Sequence, residues 1–204
     1  MKSIIASLSF FTRLPFWRLA DVPKESYKRV VVFWPLSGWF TGGIMCLVLW
    51  LVSCFFPPFV AAILALLSRI IVTGALHDDG LADFCDGMGC GGSRERVLQV
   101  MKDSHIGSFG VIGLVFYYIL AVMSLTQMLS VVGTIALPIV FAADVWSKFC
   151  AGQIINFLPY ARTEAEAKNR TVYDRMSPAD ILLSAVFGVL PLLLLPVGLL
   201  WAAL

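Results

Sequence analysis

The charges in this chain fall in blocks, and the gaps between them limit what it can fold into. Residues 30–68, 104–143 and 181–204 hold no Asp, Glu, Lys or Arg. The first run is 39 residues long. As one helix it would reach about 58 Å, nearly twice the ~30 Å hydrocarbon core of a bilayer. It must therefore fold back, and Phe56-Pro57-Pro58-Phe59 is the natural turn, because paired prolines cannot continue a helix. The second run is expected to turn at Val132-Gly133-Thr134. These breaks predict spans near 30–56, 59–76, 108–131, 134–152 and 181–204. With 59% hydrophobic residues, 14% charged residues and a mean hydropathy of +0.88, the 204-residue chain is too apolar for a soluble globular domain or a disordered one. A net charge of +2 also excludes a nucleic-acid module.

The expected fold class is all-α: a polytopic transmembrane helical bundle of about five spans, forming a single integral membrane domain over 1–204. The apolar stretch Ile4–Phe11 is too short to span and is followed by Arg13 and Pro15. It reads as an N-terminal re-entrant or interfacial helix. Pro35, Gly38, Gly42 and Gly43 predict a kink and close helix contact in the first span. Arg69 is expected to snorkel or to face a polar cavity.

The polar segments 1–29, 78–103 and 153–180 carry six, three and four of the 15 Lys and Arg, whereas the two tight turns carry none. By the positive-inside rule, segments 1–29, 77–107 and 153–180 are cytoplasmic. Five cysteines are scattered without a CxxC pair, as expected of small apolar side chains in a reducing compartment.

The segment His77-Asp78-Asp79-Gly80-Leu81-Ala82-Asp83-Phe84-Cys85-Asp86-Gly87 carries the chemistry. Asp79, Asp83 and Asp86 stand at i, i+4 and i+7, one face of a helix. Carboxylates so placed repel one another unless a cation sits among them, and hard oxygen donors suit Mg²⁺ or Mn²⁺. Gly80 and Gly87 let a ligand approach the backbone. Downstream, Arg94, Arg96 and Lys102 can hold phosphate oxygens, and Asp103 is a fourth ligand or a base. Gly107 and Gly110 open the next span at a helix N-terminus that favours an anion. No Walker A or GxGxxG pattern occurs. The residues alone suggest metal-dependent phosphoryl transfer at the cytoplasmic membrane face.

Several stretches resemble the cobalamin synthase family, adenosylcobinamide-GDP ribazoletransferase. They are FFTRLPF (10–16), FWPLSGWFTG (33–42), HDDGLADFCDG (77–87), SRERVLQVMKDSHIGSFG (93–110) and the weaker PYAR (159–162), in order over about residues 8–165. The resemblance implies a multi-pass enzyme of the cell inner membrane, with its active site on the cytoplasmic face. It would join adenosylcobinamide-GDP to α-ribazole, or to its 5′-phosphate, releasing GMP with Mg²⁺ as cofactor. By matching position, Asp79, Asp83 and Asp86 are implied metal ligands. Asp103 is the next acidic candidate, and His77 is a candidate base or phosphate donor. Arg13, Arg94, Lys102 and Arg162 are implied phosphate or substrate contacts, with Gly80 and Gly87 beside them. A homo-oligomer and a complex with other cobalamin-assembly enzymes both stay open.

The chain departs from the family pattern at Asp78, where an apolar residue is usual, and at His105, where a basic one is. Family members usually continue beyond the point matching Leu204 with hydrophobic sequence and a Gly-rich, Asp-containing motif. Two other readings compete. In a CDP-alcohol phosphotransferase, Asp83-x-x-Asp86-Gly87 would open the metal motif, but the following Ala-Arg and the distal Asp-x-x-x-Asp are absent. A non-enzymatic membrane scaffold or transporter would show more polar residues inside the spans than Arg69, Asp144 and Lys148.

Overall fold

The computed structural model describes residues 2–161 and 173–196, whose regular elements are all helices, with no strand among them. Eight α-helices follow in order: α1 (Lys2–Phe11), α2 (Trp34–Ser53), α3 (Pro58–Thr73), α4 (Leu76–Cys90), α5 (Arg94–Val100), α6 (Ser108–Val132), α7 (Ala136–Phe157) and α8 (Pro178–Val189). Short 3₁₀ segments sit at Phe16–Arg18, Lys24–Phe33, Gly133–Ile135 and Leu190–Leu194.

The proline turn separates α2 from α3, with Pro58 in the first turn of α3, where a missing N–H leaves no carbonyl unpaired. Pro35 sits likewise in the first turn of α2. At the end of α3, Gly74 (φ +63°) and Ala75 (φ +60°) both adopt the left-handed conformation. Two such residues in succession turn the chain sharply, and α4 leaves α3 at 92°.

Helix α2 lies centrally, packed on α3 and α7. Ala61, Ala62 and Ala65 of α3 are fully buried in a core with Met45, Leu49, Leu66, Leu125 and Val140, and their small side chains bring the helices close. On the opposite side, Gly38 of α2 meets the backbone of α7: a Cβ there would lie 2.9 Å from Val145 Cα. A second core joins Ala6 and Phe11 of α1 to Val30–Phe33 and Met176. At ten residues, about 15 Å, α1 cannot span a bilayer.

Lys24–Ser53 and Ser108–Phe157 are long and apolar enough to cross a membrane, and α3 with α4 make a third such segment if the bent pair is taken as one. Two or three candidate spans thus stand beside the five read from the sequence. The 50-residue Ser108–Phe157 stretch doubles back at Gly133, whose φ is +58°. Leu125 of α6 and Val140 of α7 consequently share one core, and Tyr117 and Ser147 line one cavity. The last expected span begins as α8 and is described only to residue 196.

Candidate functional site

Helix α4 carries the acidic motif, so Asp79, Asp83 and Asp86 do share a helix at i, i+4 and i+7. Their surroundings differ. Asp79 is exposed, Asp83 half-buried and Asp86 buried. The Asp86 carboxylate accepts the backbone N–H of Gly107 (2.7 Å) and of Gly110 (2.8 Å), one on each oxygen. These are first-turn donors of α6 that have no partner within their own helix. A carboxylate there also meets the positive end of the helix dipole. Gly110 leaves room for this contact, since a Cβ would press on the carboxylate and lie 3.1 Å from the Ala82 carbonyl. Gly87 is filled differently, with α5 covering it through Met101 and Val97. Among the described residues, no three His, Cys, Asp or Glu side chains converge to hold a metal ion. Asp79, exposed, and Asp83, half-buried, stand one turn apart on α4 and offer hard oxygen donors. That donor set fits a Mg²⁺ ion completed by water and substrate phosphates.

The elbow between α3 and α4 places Arg13. Its backbone N–H donates to the Val72 carbonyl (2.7 Å), and its side chain lies across Gly74, where any Cβ would collide with it. Arg13 and Asp79 then line one polar cavity of about 570 Å³ with Ser9, Thr12 and Thr73. His77 lies on the other side of α4, in a stack with Trp34 (5.8 Å between rings) and Phe11 (6.3 Å). It lines a larger cavity of about 850 Å³ that Gly80 also borders.

The remaining implied contacts are dispersed. Asp103 sits in the exposed loop after α5, where it accepts the His105 backbone N–H (3.1 Å) and lies 2.7 Å from His105 Nδ1. The His105 side-chain hydrogen bond holds its carboxyl below the usual carboxylate range. Arg94 donates to the Ala161 carbonyl (3.0 Å), tying α5 to the chain beyond α7, and Lys102 is exposed in the Asp103 loop. Arg162 lies outside the described residues.

A buried ionic network has no counterpart in the motif reading. Lys148 Nζ of α7 lies 2.7 Å from Asp144 Oδ2, which also accepts the Thr41 hydroxyl of α2 (2.6 Å). Arg69 of α3 lies between Asp144 (3.9 Å) and Asp78 (3.8 Å) and donates to the Tyr117 hydroxyl (2.8 Å). Tyr118 donates to Asp78. Arg69 therefore turns inward to this network, beside a largely apolar cavity that Tyr117 and Asp144 also line. Asp78 departs from the family pattern and has its own partners in Arg69 and Tyr118, so its charge is directed away from Asp79 and Asp83. The sequence signal was the scarcity of charge itself: an ionisable residue inside an apolar run needs a partner.

A protein-family model described as cobalamin-5-phosphate synthase matches residues 3–204. The chain belongs to that family. Among curated relatives, the adenosylcobinamide-GDP ribazoletransferase of Leptospira interrogans is 32% identical over 186 residues, covering 91% of this chain and 70% of that protein. The protein of the same name from Shewanella amazonensis is 36% identical over 202 residues, covering 97% of this chain and 76% of its own length. A third, from Leptothrix cholodnii, is 36% identical, with 86% and 66% covered. The chain thus spans about two thirds to three quarters of these relatives. No solved structure matches it.

Proposed function

We propose that this member of the cobalamin-5-phosphate synthase family transfers the corrinoid phosphate of adenosylcobinamide-GDP to α-ribazole or its 5′-phosphate, at the cytoplasmic face of the inner membrane. The supporting observation is the polar cavity that joins Arg13 to Asp79, one turn from Asp83 on α4. Arg13 would hold diphosphate oxygens, which suit a guanidinium. Asp79 and Asp83 would hold Mg²⁺, and Asp86 would keep α4 fastened to α6. Bound Mg²⁺ supplies charge neutralisation at the diphosphate and at the departing phosphate. The acceptor's ribose hydroxyl attacks the phosphorus attached to the corrinoid's aminopropanol arm. A new P–O bond forms, the P–O–P bond breaks and GMP leaves. His77, on the lining of the larger cavity, would take the hydroxyl proton. The cytoplasmic assignment rests on the basic residues of segments 1–29, 77–107 and 153–180.

The test is purified chain in nanodiscs with adenosylcobinamide-GDP, α-ribazole and Mg²⁺. GMP and cobalamin should appear together in equal amounts and should be lost in Asp79→Asn. Release of CMP from a CDP-alcohol, without the corrinoid reaction, would refute the assignment.

A further inference from the structure

Two cavities of different character meet along helix α4. Phe10 and Leu76 border both. The Asp79 side is the small polar one, with Arg13. The His77 side is apolar and aromatic, floored by Phe11 and Trp34, whose rings stack 4.8 Å apart and 5° from parallel. Tyr160 and Tyr173 also line it, in edge-to-face contact (6.4 Å).

We propose that this aromatic cavity is the acceptor site. The planar base of the ribazole would lie among the rings, and a 5′-phosphate, where present, would lie against Arg175. This deepens the transferase reading above and rests on it. Four observations carry the assignment. A diphosphate would lose its hydration against such walls, whereas a neutral heteroaromatic ring gains from them. His77 Nε2 is a buried polar atom lacking a partner among the described residues, and a ligand hydroxyl or ring nitrogen would satisfy it. Nothing lies within 4 Å of where a Cβ of Gly80 would be, so a ligand can reach the α4 backbone one residue from Asp79. The volume, about 850 Å³, is in the range of small-molecule sites. Arg175, an exposed residue on the cavity lining, supplies a cation to a predominantly apolar surface. The two substrates would thus meet at Phe10 and Leu76, which border both cavities.

Equilibrium dialysis of the chain in phosphatidylcholine nanodiscs, with α-ribazole and with α-ribazole 5′-phosphate as probes, tests this without turnover. Ile154 lines the cavity and is 54% exposed, so Ile154→Trp fills space with little disturbance to the core. It should weaken both probes about tenfold or more, the scale of lost base stacking. Arg175→Gln should weaken only the phosphorylated probe, and Asp79→Asn should leave both unchanged. Trp34→Leu is the second variant, expected to act like Ile154→Trp. Unaltered binding in Ile154→Trp and Trp34→Leu would overturn the assignment. So would a lipid chain that co-purifies in the cavity and excludes both probes. Equal loss of both probes in Arg175→Gln would overturn the phosphate contact. The two readings can fail separately. Probe binding as expected without GMP release defeats the reaction and keeps the cavity. Normal GMP release with an unchanged acceptor KM in Ile154→Trp defeats the cavity and keeps the reaction.

Discussion

Replacing Asp144 by Asn should be among the most damaging single changes in the membrane-embedded part of the chain. Asp144 is 7% exposed and Lys148 6% exposed, with 2.7 Å between their charged atoms. At an effective dielectric of about 20, that pair attracts by about 6 kcal/mol before desolvation is counted. Asn keeps the size and an acceptor for the Thr41 hydroxyl but leaves the ammonium buried without its counter-ion. Removing one partner of a buried pair costs about 3–5 kcal/mol. Lys148→Met should cost less, because Asp144 retains Thr41 (2.6 Å) and Arg69 (3.9 Å). The double variant Asp144→Leu/Lys148→Met removes both charges and should be more stable than Asp144→Asn alone. The assay is equilibrium unfolding in mixed micelles, followed by tryptophan fluorescence and arranged as a double-mutant cycle. A cost below about 1 kcal/mol for Asp144→Asn, or a double variant equal to the sum of the corresponding singles, would refute a coupled buried network.

Other changes test the elbow and the site. Gly74→Ala places a Cβ at φ +63° and into the Arg13 side chain, so stability should fall by about 1–2 kcal/mol or more; Gly80→Ala, in open space, should be neutral or slightly stabilising in the same thermal melt. Asp86→Asn can accept only one of the two α6 amides and should cost about 1–2 kcal/mol, with faster hydrogen exchange at Gly107 and Gly110. Asp83→Asn and chelation by EDTA should each abolish GMP release while leaving the thermal midpoint within a few degrees; near-normal turnover in Asp83→Asn would remove it from the metal site. Asp103 has a depressed folded-state pKa, so the stabilisation it gives its loop is present above the ordinary carboxylate pKa and is lost as pH falls through the lower folded value. Protection of the His105 amide, measured against its intrinsic exchange rate at each pH, should therefore be lost only in acid, and Asp103→Asn should remove that dependence.

The features legible in the sequence were those fixed by local pattern. Uncharged runs marked the apolar helices, Pro57-Pro58 and Gly133 marked the reversals, and three aspartates at helical spacing marked α4. Pairings across long separations were not legible. Asp86 reads as one of three equivalent carboxylates, yet it serves amides 21 and 24 residues away. Ala75 gives no hint of its left-handed conformation, because alanine ordinarily favours helix, and so the 92° elbow could not be foreseen. Asp78 could be recognised as an unusual charge, but its partner Arg69 lies on the far side of that elbow. The ring stack on His77 depends on α1 and α2 reaching α4, which no local periodicity encodes.

The buried network also bears on how the chain enters the bilayer. Arg69 and Asp78 are nine residues apart, and Asp144 and Lys148 four. Each cation thus leaves the ribosome within about one to two and a half helical turns of an anion, and each short stretch is electrically neutral as a unit. The link between Arg69 and Asp144, 75 residues apart, can form only after both have been delivered. Insertion can proceed through two locally compensated dipoles, and the last joining of α3 to α7 then closes the assembly.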